Sequence, residues 1–198
     1  MNYPELVEKA IEELSKLPGI GRKSAERIVF SLLDRPKEEA KRLASAIYYL
    51  REKIRFCEVC NNFSQGKLCP ICSDPRRDSS VVCIVERPSD VAVIEKAGYY
   101  KGRYYVLLGS ISPVSEAKNE LKVDKLLKLL NMGEIKEVII ATDADAEGEV
   151  TSLYLQDLLA KYPVEVYRIG MGIPVGANIE YMDAVTIAKA IECRIRIS

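Results

Sequence analysis

The amino-acid sequence predicts a multi-part α+β protein: a helical N-terminal region, a small four-cysteine metal module, an α/β domain on a mainly parallel sheet, and a C-terminal helical and strand extension. Three observations carry this. Up to residue 55 the apolar residues recur at helical spacing; between 57 and 72 lie two Cys-x-x-Cys pairs; from residue 81 short apolar runs alternate with helical patterns. The expected segments are 1–55, 56–74, 80–170 and 171–198.

In order, residues 5–16 read as an amphipathic helix with Leu6, Ala10, Ile11 and Leu14 on one face. A turn at Leu17-Pro18-Gly19-Ile20-Gly21 leads to a second helix over 22–33, with Ala25, Ile28, Val29 and Leu32 inward. Pro36 opens a third helix, 37 to about 55. Residues 57–72 are read as a cysteine-rich loop, and Asp74 to Ser80 as a linker. Beyond it, strands are expected at 81–85, 104–107, 138–141 and 164–169, and helices at 90–96, 123–130, 147–161 and 183–192.

The chain has 198 residues, 48% hydrophobic and 29% charged, which is a globular composition. No apolar run approaches the roughly 20 residues that cross a bilayer, and the first ten residues, with Glu5 and Glu8, lack a signal-peptide pattern. The expectation is a cytoplasmic protein without membrane association. Net charge is zero, but residues 1–60 hold 12 Lys/Arg against 10 Asp/Glu and residues 81–198 hold 14 against 17. Any nucleic-acid contact should therefore be local and N-terminal, with a more acidic surface further on. The chain has no His, which excludes His-based acid–base chemistry and His metal ligands.

The Pro18–Gly21 turn has the makings of a phosphate cradle. Gly19 and Gly21 can adopt positive φ, the next helix offers its N-terminal N–H groups to an anion, and Lys23 and Arg27 share a helix face. Such a site would hold a nucleic-acid backbone and ignore base sequence. Glycine spacing alone fits an ordinary αα-hairpin turn with solvated basic residues equally well. The full string resembles the helix-hairpin-helix motif of DNA repair proteins.

Cys57, Cys60, Cys69 and Cys72 form two knuckles separated by eight residues, the spacing of a tetrahedral four-cysteine zinc site. Four thiolates saturate the ion, so the zinc would be structural. Disulfides are the alternative, and a cytoplasmic location argues against them. Cys83 reads as a buried small residue of a core strand, and Cys193 falls in no pattern.

The expected strand at 81–85 ends in Glu86, and that at 138–141 leads into Thr142-Asp143-Ala144-Asp145-Ala146-Glu147. Carboxyl ends of parallel strands form the crevice where sites are built. If these strands are neighbours, Glu86, Asp143 and Asp145 converge, and weakly held magnesium or a basic partner would relieve their repulsion. Glu147 and Glu149 also suit a helix N-terminus. The pattern resembles the Toprim domain of topoisomerases and primases.

The order of hairpin, four-cysteine knuckle, Toprim-like domain and the Gly172-Ile173-Pro174-Val175-Gly176 segment resembles the RecR family of bacterial recombination mediators along the whole chain. That resemblance implies a non-catalytic DNA clamp, a ring-shaped homotetramer that binds single-stranded, duplex and gapped DNA. It implies RecO and RecF as partners and the loading of RecA onto gapped DNA coated with single-strand-binding protein. It places DNA contact at Lys23 and Arg27 and RecO docking on the acidic Toprim face. Three features depart from the family: residues 114–121 replace a glycine-rich loop, Met171 stands where His is usual, and Asp143 and Asp145 are both present. That last feature keeps a small magnesium-dependent Toprim nuclease open as the alternative.

Overall fold

A computed structural model describes residues 3–113 and 121–196 and divides into two compact units, Met1–Ile54 and Arg55–Ser198. The departure at 114–121 thus lies almost wholly outside the described residues.

The first unit is helical: α1 (Glu5–Ser15), α2 (Arg22–Leu33) and α3 (Lys37–Lys53). Ile11 of α1 meets Ala25 and Val29 of α2 in a small core. Of the residues expected to face inward, Ile11 and Ala25 are fully buried, whereas Leu6 is 82% exposed. The helix α3 buries no residue of its own and leaves Leu43, Ile47 and Leu50 exposed.

The second unit begins with a metal module, which is more ordered than the loop read from the sequence. An antiparallel hairpin, β1 (Arg55–Phe56) and β2 (Phe63–Ser64), is followed by a one-turn helix, α4 (Pro70–Ser73). Next come β3 (Asp78–Val85), α5 (Pro88–Ala97), β4 (Gly102–Val106), α6 (Asp124–Asn131), β5 (Glu137–Ala141), α7 (Ala146–Leu159) and β6 (Glu165–Arg168). The four strands are all parallel, in the order β4-β3-β5-β6, as the alternation of strands and helices requires. A short 3₁₀ turn, Ile179–Tyr181, and a last helix, α8 (Ala184–Glu192), complete the chain.

The strands β3 and β4 are buried on both faces, as is usual in parallel sheets, while the edge strand β6 stays largely exposed. Val82, Ile84 and Tyr105 point to one side, where Leu126 of α6 and Leu155 and Leu159 of α7 cover them. Cys83, Val85 and Tyr104, the alternate residues, point to the other side with Val91 of α5. Cys83 is a core thiol whose pKa burial pushes up to about 12.

The expected linker at 74–80 is not one. Asp78, Ser79 and Ser80 already belong to β3, and Asp78 donates its N–H to the Lys101 carbonyl at 3.0 Å. The Arg77 guanidinium pairs with Glu95 of α5 and donates to the Tyr100 carbonyl at 3.3 Å. Polar composition suggested an exposed connection, but these polar groups are spent inside the unit.

Candidate functional sites

In the hairpin of the first unit, Gly19 takes φ +78°, a left-handed conformation that side chains with a Cβ avoid. Gly21 does not share it. It is the extended N-cap of α2 at φ −76°, where an added Cβ would meet nothing within 4 Å. No side chain caps α2, which leaves the first-turn N–H groups facing outward at the positive end of the dipole. Lys23 and Arg27 are exposed, and among the described residues neither enters an ion pair. The neighbouring Arg22 is engaged instead, 2.7 Å from Glu8 and 3.5 Å from Glu26.

In the metal module, Cys57, Cys60, Cys69 and Cys72 bring their sulfurs within 4.8 Å of one another. The first three are buried and Cys72 is half-buried. Backbone N–H groups of Cys69 and Cys72 donate to the sulfurs of Cys57 and Cys69, each at 3.4 Å, which favours the thiolate form a metal needs. An all-sulfur set of this size is closed to water and substrate, so the site holds one structural zinc.

The module is tied to the sheet through a residue that the sequence reading missed. Asn61, in the loop between the knuckle cysteines, is buried and left-handed at φ 61°. Its amide donates to the Val106 carbonyl at 3.0 Å and the Tyr105 hydroxyl at 3.3 Å. Its carbonyl accepts from Lys125, 2.7 Å away, which also donates to the Cys57 carbonyl at 2.9 Å. The Cys60 carbonyl accepts the Val106 N–H at 2.8 Å. A Cys-x-x-Cys-Asn string following a strand was the available signal, since Asn tolerates left-handed backbone.

At the carboxyl ends of the strands, β3 and β5 are paired with Val85 beside Ala141, which sets Glu86 next to Thr142 and Asp143. Glu86 is buried, and its carboxylate accepts the Asp143 N–H at 3.0 Å. Burial holds its carboxyl above the usual range, with the Asp143 and Asp145 charges adding to the effect. Asp145 caps α7 by accepting the Gly148 N–H at 2.8 Å, and Glu147 accepts the Ser110 hydroxyl at 2.7 Å. The Asp143 carboxylate is exposed and accepts no hydrogen bond among the described residues. These acids are therefore neighbours, but among the described residues no three of them bring ligand atoms as close together as the cysteines do. The turn depends on Gly148, which sequence reading also missed: a Cβ there would lie 2.0 Å from the Asp143 carbonyl oxygen.

Beside this end, Ile111 donates its N–H to the Thr151 hydroxyl at 2.8 Å, so segment 110–113 packs on α7. Glu149 pairs with Arg168 of β6 at 2.6 Å, and the Arg168 guanidinium lowers its pKa. Asp145 and Glu149 line a cleft with Met171 and Lys189. No helix among the described residues is long and apolar enough to cross a membrane.

Four family models match the chain: RecR, helix-hairpin-helix, over residues 7–49; the RecR zinc finger domain of four cysteines, over 54–74; Toprim domain, over 80–170; and RecR, C-terminal, over 172–194. The chain is 48% identical over 191 residues to the recombination protein RecR of Moorella thermoacetica, covering 96% of each chain. It is 45% identical over 193 residues to that of Bifidobacterium animalis, covering 97% of this chain and 96% of the relative. With the RecR of Endomicrobium trichonymphae it shares 44% over 195 residues, 98% of each chain. Relatives that share close to half their residues over nearly the full length, with all four segments matched, show that the chain belongs to the RecR family.

Proposed function

We propose that this protein is a recombinational DNA repair mediator that clamps DNA without regard to sequence and performs no chemistry of its own. The observation that carries the DNA contact is the uncapped start of α2 beside Gly19, flanked by the exposed Lys23 and Arg27, which enter no ion pair among the described residues. N–H groups, helix dipole and two cations all suit a phosphodiester, and none reads a base edge. One hairpin supplies few contacts on a chain of zero net charge, so useful affinity needs several copies acting together. A closed homotetramer, working in the cytoplasm with RecO and RecF to load RecA on gapped DNA, fits that requirement and the family.

The test is a DNA titration against salt. Lys23→Ala with Arg27→Ala should weaken binding and lower the slope of log K against log salt by about 2 for each subunit in contact. The α-helical circular dichroism should not change. Normal affinity with an unchanged slope would remove the hairpin from the interface.

For the acidic face, the reading is weak magnesium binding and docking of a basic partner such as RecO at Glu86, Asp143, Asp145 and Glu147. Magnesium and partner would then compete by linkage. Asp143→Asn with Asp145→Asn should weaken RecO binding and abolish its magnesium sensitivity while zinc content stays constant. Magnesium-dependent cleavage of gapped DNA, lost in Asp143→Asn, would instead establish a nuclease.

A further inference from the structure

We propose that Phe56 and Phe63 form a stacking platform for the bases of single-stranded DNA, a second contact separate from the α2 hairpin. The proposal rests on the DNA-binding reading above and extends it to unpaired bases. The register of β1 and β2 pairs Phe56 directly with Phe63. Their rings stack with centroids 5.8 Å apart and planes 17° from parallel. They are nevertheless 49% and 54% exposed.

Strands of two residues cannot hold such a pair by themselves. The hairpin is fixed from its other side, by the buried sulfurs of Cys57, Cys60 and Cys69 and by Ser64, whose hydroxyl donates to the Leu68 carbonyl at 2.8 Å. The module thus holds two nearly parallel, stacked aromatic rings that remain half-exposed to solvent. A nucleobase stacked on such a face loses little conformational freedom on the protein side, and the contact tolerates any base.

Charge selects nucleic acid as the occupant. The whole chain balances 29 Lys/Arg against 29 Asp/Glu, but the module, residues 55–74, holds Arg55 and Lys67 against Glu58, its Asp74 being paired with Arg76. Arg55 and Lys67 are exposed within the module. Exposed cations on the same module as the stacked rings match a strand that carries phosphates and bases together, whereas a duplex keeps its bases stacked on one another.

The experiment uses the full-length, zinc-loaded protein and three probes: an oligodeoxythymidylate, an abasic strand of equal length and charge, and a blunt duplex. The wild type should bind the base-bearing strand more tightly than the abasic one. Phe56→Leu with Phe63→Leu keeps the apolar bulk and removes the π faces. It should lose on the order of tenfold or more in affinity for the base-bearing strand, with unchanged affinity for the other two probes. Zinc content and light-scattering mass should also be unchanged. Equal binding of base-bearing and abasic strands by the wild type would overturn the platform even if the variant failed to fold. So would a leucine variant that binds the base-bearing strand normally, or one whose mass falls, which would make the rings a contact between copies. Failure of the wild type to bind any probe would overturn the clamp reading itself, and intact duplex binding keeps the two failures distinguishable.

Discussion

Asn61, Gly148 and Glu86 each hold more structure than their residue types announce. Asn61 spends its side chain on Val106, Tyr105 and Lys125 in a left-handed conformation. Asn61→Gly should cost about 1–3 kcal/mol of stability, from partners left unpaired. Asn61→Ala should cost about 1 kcal/mol more, from the backbone, so urea melts of the two variants separate the terms. Gly148→Ala should destabilise by about 1–3 kcal/mol or more, because the added carbon meets Asp143 backbone rather than a movable side chain. Glu86 carries a raised carboxyl, chiefly from burial. The fold therefore favours its protonated form: the stabilisation is full below the unfolded pKa and lost as pH rises through the folded one. Glu86→Gln keeps an oxygen for the Asp143 N–H and avoids that loss. It should be more stable than the wild type at neutral pH, and the advantage should shrink as pH falls through the carboxylate range. Urea melts at a series of pH values check this, and a pH-independent difference would contradict it.

Among the elements, the metal module and β4 are the informative pair. The strand β4 is an edge of the sheet, and an edge exposes unpaired backbone groups to any passing strand. The knuckle loop covers it, with the Cys60 carbonyl on the Val106 N–H and the Asn61 amide on the Val106 carbonyl. Zinc therefore stabilises a module and also closes a sheet edge. Chelation, or Cys57→Ala, should accelerate hydrogen exchange at Val106 by orders of magnitude while Ile140, in interior strand β5, stays protected. Equal loss at both positions would mean that the whole unit unfolds without zinc. The strand β3 shows the opposite economy: its first three residues, polar in sequence, extend it beyond the apolar run, because Asp78 finds the Lys101 carbonyl.

At the scale of the molecule, the exposed apolar surface has to be accounted for. On α3, Leu43, Ile47 and Leu50 follow helical spacing and are 46%, 58% and 63% exposed. Near the other end, Ile191 and Ile195 are exposed, and Ile197 lies outside the described residues. A monomer rarely leaves such stripes in water, which supports assembly of copies through both ends of the chain. Ile47→Glu with Leu50→Glu should lower the mass seen by light scattering without reducing helix content. A wild type that is already monomeric at micromolar concentration would count against the clamp.

The sequence by itself determined what depends on local rules. Period-3.6 patterns marked the helices, apolar runs the parallel strands, and cysteine spacing the metal module, because helix faces, strand burial and metal chelation are all written in residues close along the chain. Lys23 and Arg27 were legible as one helix face for the same reason. Only the tertiary structure decided which polar groups the fold consumes. Asp74 to Ser80 looked like a solvated linker until Arg77 met Glu95 across 18 positions. Glu147 suited a helix N-terminus in sequence, yet its carboxylate holds Ser110, 37 positions away. A hydrogen bond needs a partner within about 3 Å, and the partner's place in the sequence carries no trace of that distance.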